Sequence, residues 1–192
     1  MQAQEIAAGL EYLHKNKIVH GDLKIVSIQF DHFLTCLNYV LEQRHDIRTT
    51  AINNNARFTA PELMGTDSNP QLSAGPTFES DIYSLALLFL QVSMNILLAL
   101  NDLRVRLIQS PFDKLFHGPD KSETRGLPYN HIWPDTVLAQ EIVDRGARPL
   151  RERYNRIADQ HWNLMKSCWT TLPDERPSIT QVCCKLRALT GR

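Results

Sequence analysis

The sequence predicts a mainly α fold with one small β-hairpin, and three observations lead there. Residues 3–15 place Ile6, Leu10 and Leu13 at helical spacing, with Ala7 and Ala8 as small packing residues. Residues 79–92 are the most apolar stretch of the chain, and a helix apolar all round belongs in the middle of a domain. Residues 27–30 (SIQF) and 33–37 (FLTCL) flank Asp31-His32, which reads as the turn between two short strands.

Bulk properties narrow the class. A chain of 192 residues can bury one substantial core. Lys plus Arg and Asp plus Glu both number 21, so no net field favours nucleic acid or an acidic membrane surface. The four cysteines, Cys36, Cys168, Cys183 and Cys184, have neither zinc-site spacing nor a disulfide framework. Reduced thiols and the absence of a basic, apolar leader at the start predict a cytoplasmic location. Residues 82–100 carry no charge and approach the length of a membrane span. Ser84, Gln91, Ser93 and Asn95 interrupt them, and Asp81 and Asp102 bound them closely, so a buried core helix is expected and no membrane partner.

The remaining elements follow in order. Lys15-Asn16-Lys17 ends the first helix with positive charge and a turn residue. Residues 38–58 are polar and aperiodic, which predicts a long exposed loop. A Ser/Pro/Gly-rich connector runs to Pro76, ahead of the apolar helix with Ser80 or Asp81 near its start. Residues 93–109 extend that helix, 111–133 are loop-rich, and 135–145 predict a short helix. Arg148, Arg151, Arg153 and Arg156 could form an anion-binding patch, but without net charge or interleaved aromatics a solvated loop is the expectation. Residues 158–169 set Trp162, Met165 and Trp169 on one helix face. The last helix starts at Ser178, whose spacing to Gln181 is that of a capping box, and carries the stripe Ile179, Val182, Leu186 and Leu189.

Within residues 18–30 (IVHGDLKIVSIQF), apolar flanks surround an imidazole, a carboxylate and an ammonium, His20, Asp22 and Lys24. Such groups are costly to bury and are paired or put to chemical use. The stretch resembles the catalytic loop of protein kinases in its H-G-D-L-K variant. Four further motifs match that family in order. Residues 6–14 (IAAGLEYLH) resemble the helix before the loop. Ala60-Pro61-Glu62 matches the A-P-E motif that closes the activation segment. Residues 80–84 (SDIYS) resemble the start of the central helix, whose Asp anchors the loop backbone. Cys168-Trp169 and residues 174–178 (DERPS) resemble the closing pattern of tyrosine-kinase-like members. The resemblance implies the larger, C-terminal lobe of a protein-kinase-like domain over residues 1–192, lacking the N-terminal lobe, with Arg176 paired to Glu62.

It also implies roles. Asp22 would orient or accept the proton of the attacking hydroxyl, and Lys24 would neutralise charge on the transferred phosphoryl group. His20 would hold the loop rather than react. Mg-ATP would be the cofactor, and a protein substrate or protein partner is implied. Departures bear on each role. Ser27 stands where the pattern has a metal-binding Asn. Residues 37–41 (LNYVL) align with the D-F-G region, so Asn38 replaces the magnesium-binding Asp. Mg²⁺ favours carboxylate anchors, which makes Ser27 and Asn38 a degenerate metal and cofactor set. Val40 replaces a flexible Gly. Gly21 replaces an Arg that in many kinases reads a phosphorylated activation loop. The eight glycines never form G-x-G-x-x-G, and no V-A-I-K lysine is present.

Residues 93–109 delay the Pro-Phe pair that follows the central helix in the family, here Pro111-Phe112, and read as an insertion. Codons for Val92-Ser93 and Gln109 can supply GT–AG boundaries, so a retained intron is one origin and a family-specific helix the other. The expected function is a catalytically impaired pseudokinase or truncated kinase acting through interactions. The alternative is an active Ser/Thr or Tyr kinase once an N-terminal lobe completes it. Small-molecule phosphotransferases share the H-G-D loop but lack the pairing of Ala60-Pro61-Glu62 with Arg176-Pro177-Ser178.

Overall fold

The computed structural model describes residues 2–23, 56–64, 75–108, 127–133 and 137–191, which form helices joined by turns. The hairpin expected over residues 27–37 lies outside the described residues, as do Lys24, Ser27 and Asn38 and most of the loop expected over 38–58.

Helix α1, Gln2–Lys15, buries the predicted face through Ala7, Leu10 and Leu13. It ends in a Schellman motif. Lys17 takes φ 59°, its N–H reaches the His14 carbonyl at 3.0 Å, and the Ile18 N–H reaches the Leu13 carbonyl at 2.9 Å. That reversal turns the chain directly into residues 18–23.

Helix α2, Phe78–Ile108, is continuous over 31 residues, about 46 Å at 1.5 Å per residue. Residues 93–108 therefore prolong the central helix without a break. The predicted cap shifts by one turn's edge. Thr77, ahead of the helix, exchanges hydrogen bonds with Ser80: Ser80 N–H to Thr77 Oγ1 at 3.1 Å and Thr77 N–H to Ser80 Oγ at 2.9 Å. From Ser80 to Val92 every residue except Ser84 is buried, as all-round apolarity demands.

The short helix α3, Leu138–Val143, packs against the 3₁₀ turn Pro61–Leu63 through Leu138 and Ile142. Helix α4, Asp159–Cys168, lies on α2 and buries Trp162, Leu164 and Met165. Helix α5, Ile179–Thr190, starts with the predicted capping box, Ser178 N–H to Gln181 Oε1 at 2.8 Å, and ends at Gly191 in the left-handed region. It packs on α1, so the two ends of the described chain meet. Among the described residues no helix is long and apolar enough to cross a membrane.

Two expectations are corrected. The arginine run is not a uniformly solvated loop. Arg148 donates to the carbonyls of Ala147 and Trp169 at 2.7 and 3.0 Å and lies over the Tyr83 ring. Arg151 donates to the Ile157 carbonyl at 2.7 Å and to Asp159 at 2.6 Å, and covers the Trp162 ring at 5.1 Å. Only Arg153 and Arg156 are exposed. The end of the loop expected over 38–58 is likewise not exposed, because Arg57 and Phe58 are both buried. Arg57 reaches inward to the carbonyls of Pro128, Tyr129 and Ile132 at 2.7, 2.9 and 3.3 Å. A guanidinium has five donors in a fixed fork, which suits it to binding the carbonyls of an irregular turn.

The Pro-aromatic pair seated against α2 is Pro128-Tyr129. Tyr129 is fully buried and shares a hydrogen bond with Tyr83 at 2.5 Å between the hydroxyl oxygens. Pro111-Phe112, expected as the pair that follows the central helix, lies outside the described residues.

Candidate functional site

Residues 18–23 are held by the first turn of α2. The Asp81 side chain is 1% exposed and accepts three hydrogen bonds. The His20 N–H reaches Oδ2 at 2.7 Å, the Gly21 N–H reaches Oδ1 at 2.8 Å, and His14 Nε2 lies 3.0 Å from Oδ2. A buried carboxylate needs such partners, and backbone amides of an irregular segment need an acceptor, so each solves the other's problem. The sequence placed Asp81 in this role. It gave His14 none, although an imidazole inside the apolar stripe of α1 was the available signal. The His14 ring also meets Phe78 edge-on, with centroids 4.7 Å apart.

His20 is 8% exposed. Its Nδ1 accepts from the Asp22 N–H at 3.3 Å, so the two predicted residues are joined through one backbone amide. Burial lowers the His20 pKa, with the Asp81 and Asp22 charges opposing that shift. A neutral imidazole buried at a bend holds the segment in shape, in line with the expected structural role. Its Nε2 has no hydrogen-bond partner among the described residues.

Gly21 has φ +78°, and a Cβ there would sit 3.0 Å from Cγ of Pro76. The bend therefore needs glycine twice over, for the left-handed backbone and for the approach of the Pro76 ring. This is the physical correlate of Gly standing where many kinases have Arg. Asp22 is half-buried at the end of the segment, followed by buried Leu23.

The second structural anchor is the ion pair implied by resemblance. Arg176 is bidentate to Glu62, with Nη1 2.6 Å from Oε1 and Nη2 2.8 Å from Oε2. It also donates to the carbonyls of Glu79 and Thr170 at 3.0 and 3.1 Å, and its guanidinium lies over the Tyr83 ring at 5.1 Å. One side chain thus ties the Pro61–Leu63 turn, the start of α2 and the approach to α5 together.

Of the predicted site residues, Asp22 is placed beside His20 and the Asp81 clamp, while Lys24, Ser27 and Asn38 lie outside the described residues. Among the described residues no group of three or more His, Cys, Asp or Glu side chains could hold a metal.

The loop clamped by Asp81 and the Glu62–Arg176 pair stand in one chain order that a family model also recognises. A model of the protein kinase domain matches residues 1–186. The chain belongs to the protein kinase family. It is similar to a dual serine/threonine and tyrosine protein kinase of Xenopus laevis, 25% identical over 184 residues, covering 91% of this chain and 15% of that protein. A protein of the same description from Strongylocentrotus purpuratus is 27% identical over 188 residues, covering 96% of this chain and 16% of that protein. The tyrosine-protein kinase receptor torso of Drosophila melanogaster is 22% identical over 182 residues, with 93% and 16% covered. The chain spans about one sixth of the length of these relatives.

Proposed function

We propose that this kinase-family domain is catalytically impaired and acts through protein interactions. The observation that carries the reading is the pair of neutral side chains, Ser27 and Asn38, at the positions where the family holds magnesium. An amide keeps an oxygen but has lost the negative charge that anchors Mg²⁺, and the Ser27 hydroxyl does not restore it. That donor set does not fit Mg-ATP. The Asp81 clamp and the Glu62–Arg176 pair are complete, so the shape of a kinase lobe is kept without its metal chemistry.

Titration calorimetry of the chain with Mg-ATP tests this. No binding heat is expected, and micromolar binding that Asn38→Ala abolishes would overturn the proposal. A second reading, transfer of the ATP phosphate to protein hydroxyls once further chain completes the cleft, is favoured by Asp22 and Lys24 in H-G-D-L-K spacing. Phosphate transfer that Asp22→Asn eliminates would establish it.

A further inference from the structure

Residues 127–133 form a turn held from several sides. Arg57 donates to three of its carbonyls, Tyr129 bonds Tyr83, and the Tyr154 hydroxyl donates to the Leu127 carbonyl at 3.0 Å. Tyr129 sits at φ 56°, a left-handed conformation that a bulky L-residue adopts only at a cost. Such a conformation persists only where its surroundings over-determine it. The turn ends in Trp133, which is 73% exposed. A large indole displayed on a rigid turn is costly in water and loses little entropy on binding, the two properties of an interface anchor.

The Tyr154 bond joins this turn to the 3₁₀ turn Arg151–Tyr154. There the charges divide. Arg151 takes Asp159, the nearby carboxylate, and is committed to the fold. Arg153 is exposed and enters no ion pair among the described residues; burial lowers the His131 pKa, and the Arg153 and Arg57 charges lower it further. Arg156 is exposed on the following turn, closed by Ile157 N–H to the Tyr154 carbonyl at 3.1 Å. Glu152 and Asp159 are the exposed carboxylates among them, Asp159 being paired with Arg151.

We propose that these joined turns form a docking surface for an acidic protein segment, with Trp133 as its apolar anchor and Arg153 and Arg156 facing its carboxylates. The charge argument selects the occupant. Exposed cations with no ion pair among the described residues, on a turn hydrogen-bonded to the one that carries an exposed indole, complement an Asp/Glu-rich stretch carrying an apolar residue. The proposal deepens the reading of the chain as an interaction domain and rests on it.

Fluorescence anisotropy of the whole chain with a labelled peptide of repeated Glu-Glu-Leu is the test. A Lys-Lys-Leu peptide, a poly-uridine RNA and phosphatidylserine vesicles are run alongside. The acidic peptide is expected to bind and to weaken with salt. Trp133→Ala and Arg153→Glu should each reduce affinity at least tenfold, with helical circular dichroism unchanged. Arg145→Glu, an equal charge change at an exposed position just past the end of α3, should leave binding within twofold. No binding of the acidic peptide, binding indifferent to both variants, equal loss in Arg145→Glu, or preference for RNA or vesicles would each overturn the proposal. Mg-ATP binding is scored separately, so failure of the functional reading and failure of the surface are told apart.

Discussion

Replacing Asp81 by Asn probes the clamp on residues 18–23 with almost no change of volume. The carboxylate accepts from His20 N–H, Gly21 N–H and His14, all at 3.0 Å or less, at a site 1% exposed. An amide has one acceptor oxygen. Its NH₂ must face either the Gly21 N–H or the His20 and His14 donors. The first orientation is the less costly and still leaves one buried N–H against another donor, about 1–3 kcal/mol. The two surviving hydrogen bonds lose their ionic character, about 1 kcal/mol each from the difference between charged and neutral acceptors. The sum is about 3–5 kcal/mol, the range for breaking one half of a buried ionic pair. With a urea dependence of about 2 kcal/mol per molar, the midpoint should fall by about 1.5–2.5 M. A fall below about 0.5 M would refute the claim that this carboxylate holds the loop, because such a value is typical of surface substitutions.

Two further predictions concern groups buried with charge or hydrogen-bonding capacity. Arg176→Met should lower stability by about 3–5 kcal/mol, since it strands Glu62 and frees the Glu79 and Thr170 carbonyls, and Arg176→Lys should recover less than half because an ammonium cannot bind both carboxylate oxygens in plane. Thermal unfolding of both variants checks this. The depressed pKa of buried His20 means that the unfolded chain takes up a proton on this residue at a higher pH than the folded chain. Its contribution is present above the ordinary value of 6.5 and is lost as pH falls below it. His20→Phe should flatten that part of the stability–pH curve in urea titrations, and an unchanged slope would refute it.

How far the sequence reached depended on where each interaction was encoded. Helices α1, α2 and α5 were legible because their apolar residues repeat at helical spacing and because Ser178 and Gln181 encode a cap within four residues. Asp81 and the Glu62–Arg176 pair were legible only through family motifs. Glu62 and Arg176 are 114 residues apart, and no local pattern pairs them. Arg57 was misplaced for the complementary reason. It sits in a polar stretch that reads as exposed, and its partners are carbonyls, which carry no residue identity. Arg148 and Arg151 escaped in the same way, their acceptors being mainly backbone oxygens. The burial of Tyr129 against Tyr83 has no local signal either, since the two residues are 46 positions apart.

The groups that hold this lobe and the groups that would perform its chemistry differ in what their loss costs. Asp81, His14, Gly21 and Arg176 are fixed by burial or by backbone strain, and removing either charged anchor costs several kcal/mol against a total of about 5–15 for a domain. Under the proposed reading Asn38 stands for a metal-binding Asp; that exchange is nearly isosteric, and its cost would fall on metal affinity rather than on the fold. Demands on stability alone therefore preserve the clamp and the ion pair while leaving the metal positions free to change. The fold then remains a rigid frame. Its surfaces, among them the strained turn that carries Trp133, keep their geometry whether or not a phosphate is ever transferred. Residues 18–23 stay recognisable as part of a catalytic loop in either case, because their shape is set by Asp81.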